Sequence, residues 1–254
     1  MSPLAISCVV FGCLCVGALF GVALRSILPD HHLEAESKDL IKVAMGLIGT
    51  MSALVLGLLV ASAKSSFDTQ RNGVAQLAGN VMFLDRTLAR YGPESAEVRS
   101  ALRGAVQDTI ERTWPSQQKQ GDPSDSRPRT AGRHEALFEQ LQALAPKNDN
   151  QKAMQAQALK IANDIGQARW QLYAQEGNSI PMVFLAVMVS WLALIFASFM
   201  LFAPTNTTTV ITLLICIFVV SSSIFLILEL DHPFEGVMQI PSTPLQNALA
   251  QVGK

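Results

Sequence analysis

The sequence predicts an all-α membrane protein: four transmembrane helices with a helical soluble insert between the second and third. Three observations predict it. The apolar blocks Leu4–Leu24, Leu40–Ala63, Pro181–Phe202 and Val210–Leu230 each have the length to cross a bilayer, about 20 residues. They carry ionisable residues only near their ends, at Lys42 and Glu229. The stretch Lys64 to Ile180 is hydrophilic and repeats its apolar residues at helical spacing, with no strand alternation and no tandem repeat. The apolar blocks must be helices, because open strands would leave backbone groups unpaired in lipid.

Composition agrees. The 254 residues are 50% hydrophobic with a mean hydropathy of +0.30, an average over four very apolar blocks and an ordinary hydrophilic middle. A net charge of −1 gives no electrostatic argument for nucleic acid, and none is expected as a partner. Cys8, Cys13, Cys15 and Cys216 all fall inside apolar blocks, without the spacing of a redox or zinc pair, and read as small hydrophobes.

Taken in order, the first block has no basic residue before it and runs longer than the roughly 7–15 residues of a signal-peptide core, so it reads as a retained span. Arg25 to Asp39 is a short polar link. The second block continues through FDTQRNGVAQLAGNVMFLDRTLARY without a proline, up to the helix-breaking pair Gly92-Pro93. Glu94 to Thr113 places Val98, Leu102, Ala105, Val106 and Ile110 on one stripe. Residues 115–132 are rich in Pro, Gly, Ser and charge and read as a mobile loop. A short helix spans His134 to Leu144. Asp149 to Glu176 then repeats Met154, Ala158, Ile161, Ile165 and Leu172 close to a heptad. Ala203 to Thr209 is a tight turn before the fourth span, and a short amphipathic run, Leu245–Val252, closes the tail. The expected organisation is residues 1–63 for the first two spans, 64–180 for the insert, 181–230 for the last two spans and 231–254 for the tail. An even number of spans puts both termini and the insert on one side. Lys and Arg near the membrane ends are balanced between the sides, so charge alone leaves the orientation open.

Several groups of residues are candidates for function. On the second span Gly46, Thr50, Ala53 and Gly57 share one face, and that face continues to Lys64, Asp68 and Arg71, about five turns further on. Small residues there admit a neighbouring backbone or leave room beside a pore. The charged continuation is either an ordinary set of helix ion pairs or, repeated around an axis, a ring that concentrates anions. Asp30, His31, His32, Glu34 and Glu36 form a dense polar link, read as head-group contacts or as a proton- or metal-sensitive mouth. Glu229, Asp231, His232 and Glu235 at the end of the fourth span are either a solvated helix end or a cation-attracting exit. Adjacent His residues rarely point to one centre, and no metal is expected at either group. Phosphate loops, nucleophile elbows and HExxH are absent, and Ser221-Ser222-Ser223 has no His placed to activate it, so the sequence does not read as an enzyme.

The segments LPDHHLEAESKD, GLLVASAKSSFDTQ, LDRTLARYGPE, IPMVFLAVMVSWLALIFASFMLFAP and FLILELDHPFEG together resemble a bacterial and plant family called bestrophin-like, over nearly the whole chain. The layout also resembles that of the bestrophins. The resemblance implies an oligomeric ion channel with a narrow apolar neck on the second span and a calcium-binding acidic segment after the fourth. Pro233-Phe234-Glu235 stands where that segment would begin, but no run of consecutive acids follows, which counts against calcium gating; no cofactor is expected. Aromatic residues are also missing from the second span, so Met51, Leu54 and Leu58, roughly opposite the small face, are the nearest candidates for a constriction. The expected partners are the lipid bilayer, copies of the chain in a ring and small inorganic ions, anions above all. The resemblance places the chain in a bacterial inner membrane with insert and termini cytoplasmic. The competing reading is a non-conducting scaffold or regulator whose Met154–Leu172 stripe receives a partner helix.

Overall fold

The computed structural model describes residues 2–27, 35–114, 129–174, 182–203, 206–234 and 236–253. These form helices α1 (Pro3–Ile27), α2 (Ala35–Tyr91), α3 (Ala96–Thr113), α4 (Arg129–Ala143), α5 (Asp149–Ala174), α6 (Met182–Phe202), α7 (Thr207–Leu230) and α8 (Thr243–Gln251). There is no strand among the described residues. Four of the helices, α1, α2, α6 and α7, are long and apolar enough to span a membrane. The chain divides into two units, one of residues 1–67 and 178–232, the other of residues 68–177 and 233–254. Each is described by itself.

In the first unit α1, α6 and α7 pack around Leu14, Met188, Ile217 and Ile224, which are almost fully buried. The helices meet at small residues. A Cβ built on Gly21 would lie 2.1 Å from the Ala197 carbonyl oxygen, and one built on Gly17 would lie 3.0 Å from the Ala193 Cβ. These pairs are a Gly-x-x-x-Gly on α1 facing an Ala-x-x-x-Ala on α6, the spacing that lets backbones approach in lipid, where burial of apolar surface drives nothing. The signal stood in the sequence at residues 17–21, although the small face on the second span is the one the pattern emphasises. Polar groups add connections: Ser7 Oγ donates to the Ser221 carbonyl at 3.0 Å, and the Arg25 guanidinium donates to the Ala203 carbonyl. Ser222 and Ser223 donate to the carbonyls of Phe218 and Val219 at 2.8 and 3.0 Å, so both hydroxyls are absorbed by their own helix. All four cysteines are free thiols.

The second unit is a bundle of the end of α2 with α3, α4, α5 and α8. Leu77, Val81, Leu84 and Leu88 of α2 are buried, as are Val98, Leu102, Ala105 and Val106 of α3. Ala158, Ile161, Ile165 and Leu172 of α5 are buried too, so the heptad-like stripe packs inside its own unit. α2 ends where Gly92 takes φ 128, a left-handed conformation that side chains with a Cβ rarely adopt. Ser95 then donates to the carbonyls of Leu88 at 2.6 Å and Gly92 at 2.8 Å, closing the turn into α3. Across this turn Lys147 Nζ lies 2.6 Å from Glu94; the hydrogen bond between them holds the Glu94 carboxyl below its ordinary range and raises the Lys147 ammonium. Gln155 Nε2 donates to the carbonyls of Leu141 at 3.0 Å and Leu144 at 2.8 Å, closing the end of α4. α4 starts at Arg129, inside the stretch expected to be loop; it follows directly on Pro128, a residue suited to the edge of a helix but not its interior. The rest of that expected loop, 115–128, lies outside the described residues.

The tail belongs to the core of this unit. Phe234, Ile240, Leu245, Ala248 and Val252 are buried. The Trp114 indole N–H donates to the Ile240 carbonyl at 2.7 Å, and its ring meets Phe234 edge-on at 5.5 Å between centroids. Asp85 accepts Arg99 Nε at 2.8 Å and Nη2 at 2.9 Å, a bidentate pair that raises the Arg99 pKa chiefly through these hydrogen bonds. The Gly253 N–H also donates to Asp85 at 3.2 Å, and Arg103 donates to the Val252 carbonyl at 3.1 Å.

Gly21→Ala is expected to lower the thermal unfolding midpoint in detergent, with overpacking of about 1–3 kcal/mol. Gly49→Ala is expected to leave the midpoint unchanged or raise it, since nothing lies within 4 Å of its Cβ position. Asp85→Ala strands a mostly buried guanidinium and releases the tail; a loss of roughly 3 kcal/mol is expected, with limited proteolysis cutting after Phe234 earlier than in the parent protein.

Candidate functional site in the second span

The membrane part of α2 differs from the other spans in how little of it is covered. Of its most apolar stretch 6% is buried, against 22% in each of α1, α6 and α7. One stripe is packed: Val55, Leu56 and Leu59 lie against the α1–α6–α7 core, and Ala63 is buried with Ile227 and Leu230 of α7. Ser52 is buried in the same stripe.

At about 100° per residue the remaining surface separates into two further faces. Gly46, Thr50, Ala53 and Gly57 are all exposed, and a Cβ on Gly46 or Gly57 would meet nothing within 4 Å. The Thr50 hydroxyl donates to the Leu47 carbonyl at 2.8 Å, so this face presents little polarity. Met51, Leu54 and Leu58 are 52%, 66% and 62% exposed. They were expected roughly opposite the small face; helical geometry puts the three on its flank, about 100° round, with the packed stripe on the remaining side. The face that binds the rest of the unit could not also be a free apolar face.

Further along α2, Lys64 and Arg71 are exposed and Asp68 is half-exposed. The Lys64 ammonium stands 5.4 Å from the centre of the Phe67 ring, a cation–π contact one turn away. At the end of α7 Glu229 is buried and Asp231 half-exposed, while His232 Nδ1 is 3.0 Å from the Leu228 carbonyl. His31, His32 and Glu235 lie outside the described residues. Among the described residues no cluster of His, Cys, Asp and Glu side chains is arranged to hold a metal ion. The small face, the apolar flank and Lys64 all stand on α2, and Glu229 and Asp231 stand at the end of α7.

A family model described as the bestrophin-like domain matches residues 12–245. No curated protein matches. Among solved structures, a variant of a bacterial bestrophin homologue from Klebsiella pneumoniae is 16% identical, with 100% of this chain and 99% of that chain covered and a TM-score of 0.69. A second variant of the homologue is 14% identical, with 95% and 98% covered and a TM-score of 0.68. A crystal structure described only as a membrane protein is 14% identical, with 96% and 99% covered and a TM-score of 0.67. At such identities the likeness is one of fold. The family model, spanning nearly the whole chain, decides the relationship: this protein belongs to the bestrophin-like family.

Proposed function

We propose that the protein is an oligomeric ion channel, anion-conducting, in which copies of the chain form a ring and α2 lines the central pore. The observation that carries this reading is the sparsely covered membrane half of α2, where a Cβ on Gly46 or Gly57 would meet nothing within 4 Å among the described residues. Lipid tails can cover Met51, Leu54 and Leu58, but small residues offer lipid little surface and suit a second helix. In a ring Gly46, Thr50, Ala53 and Gly57 pack helices together. Met51, Leu54 and Leu58 narrow the pore into an apolar constriction that gates by excluding water. Lys64 and Arg71 gather anions at the mouth on the insert side, with Asp68 between them moderating the charge. Family membership and the likeness in fold to a bacterial bestrophin homologue support the assignment; in the proposed channel the insert and termini are cytoplasmic at a bacterial inner membrane. The scaffold alternative drew on the Met154–Leu172 stripe; four of its five positions are buried in their own unit and not offered to a partner.

Purified protein in liposomes is expected to pass chloride. Leu54→Ala should raise the flux several-fold, and Lys64→Glu should move the reversal potential toward cations. Gly57→Leu should keep its helical content while the ring dissociates in light scattering. A monomeric parent protein in detergent, or liposomes that stay silent with all variants, would sink the channel reading and leave the scaffold.

A further inference from the structure

Where α2, α3 and α8 meet in the second unit, the structure holds a cleft of about 200 Å³ that the channel reading does not use. Met82 and Ala89 of α2 and Ala248 of α8 give it an apolar wall, and Asp85, Arg86 and Arg99 give it charge. The charges do not cancel. Asp85 is matched by Arg99 through both carboxylate oxygens, at 2.8 and 2.9 Å, and takes the Gly253 N–H as well. It is a neutralised, saturated group with little left to repel an anion. Arg86, on the exposed side of α2 one turn from Met82 and Ala89, makes no hydrogen bond or ion pair among the described residues. The cleft thus carries one uncompensated guanidinium beside an apolar wall, with the Gln251 amide as a further polar group.

That combination selects a ligand class. A guanidinium presents a planar fork of donors that matches a carboxylate in two parallel hydrogen bonds. The volume accommodates roughly six or seven non-hydrogen atoms, at about 30 Å³ per water-sized group. A doubly charged phosphate would leave one charge unmatched, and a bare inorganic ion would leave the apolar wall wet. We propose that the cleft between α2, α3 and α8 binds a small organic monocarboxylate, its head on Arg86 and its short apolar stem against Met82, Ala89 and Ala248. Val252 also lines the cleft, two residues after Ala250 and directly before the Gly253 that Asp85 holds, so the ligand would sit against the anchored end of the tail. The site lies wholly within the second unit and stands or falls independently of the pore.

Isothermal titration of the full chain in detergent with sodium butyrate tests it, with sodium chloride and inorganic phosphate at matched ionic strength as the other arms. Saturable binding of one butyrate per chain in the millimolar range is expected, with at least tenfold weaker response to chloride and phosphate. Arg86→Ala should weaken butyrate binding at least tenfold, Arg86→Lys by less, and Ala89→Phe should block it by filling the cleft from an exposed position. All three should melt at the parent temperature without ligand, since Arg86 and Ala89 are surface positions. Absence of saturable butyrate binding, equal response to chloride, or unchanged affinity in Arg86→Ala with a parent-like melt would each overturn the proposal. None of these outcomes bears on ion flux.

Discussion

The structure turns on a span that, among the described residues, its own chain covers along a single stripe. A helix in lipid satisfies its backbone internally and needs no neighbour for that reason. What it needs is surface contact, and α2 obtains it along a single stripe from Ser52 to Ala63. The other three spans share a core around Leu14, Met188 and Ile217, while each keeps further apolar side chains exposed. α2 is the least covered of the four and keeps two open faces, one small and one bulky and apolar, and both matter only when something outside the subunit meets them. In a bilayer that something is lipid or another copy, and the two faces differ in which they suit.

Small residues play two roles in this chain, and the distinction is tertiary. Gly17 and Gly21 on α1 are pressed against Ala193 and Ala197 on α6 so closely that a single added carbon would collide with backbone. Gly46 and Gly57 on α2 have the same chemistry and open space around them. The first pair closes the subunit. The second leaves it unfinished, which is the reason to look for copies around an axis.

The second unit shows how a short tail can be structural. The 24 residues of 231–254, with three prolines, could not form a core of their own. Here the tail contributes buried apolar side chains to an existing bundle and is fastened at both ends, by Trp114 near its start and by Asp85 and Arg103 near its end. The same fastening builds the wall of the cleft beside Arg86. Asp85 serves as ion-pair partner for Arg99 and as cap for the tail, two tasks that need its carboxylate charged and held in place.

The sequence by itself determined the four apolar helices, the run of α2 past the membrane to Gly92, and the buried stripes of α3 and α5. Each is written locally, in block length, in helical spacing and in the conformational demands of Gly and Pro. It also displayed both small-residue motifs and the basic residues at Lys64 and Arg71. Only the tertiary structure decided which motif was already occupied and that the stripe from Ser52 to Ala63 is the packed face of α2; the place of Met51, Leu54 and Leu58 on the flank follows from helical spacing alone. The pairing of Asp85 with Arg99 and of Trp114 with Ile240 was equally out of reach, because those partners are 14 and 126 residues apart. Periodicity fixes which side chains share a helix face; which face meets which neighbour depends on the relative placement of whole helices, and no local pattern encodes that.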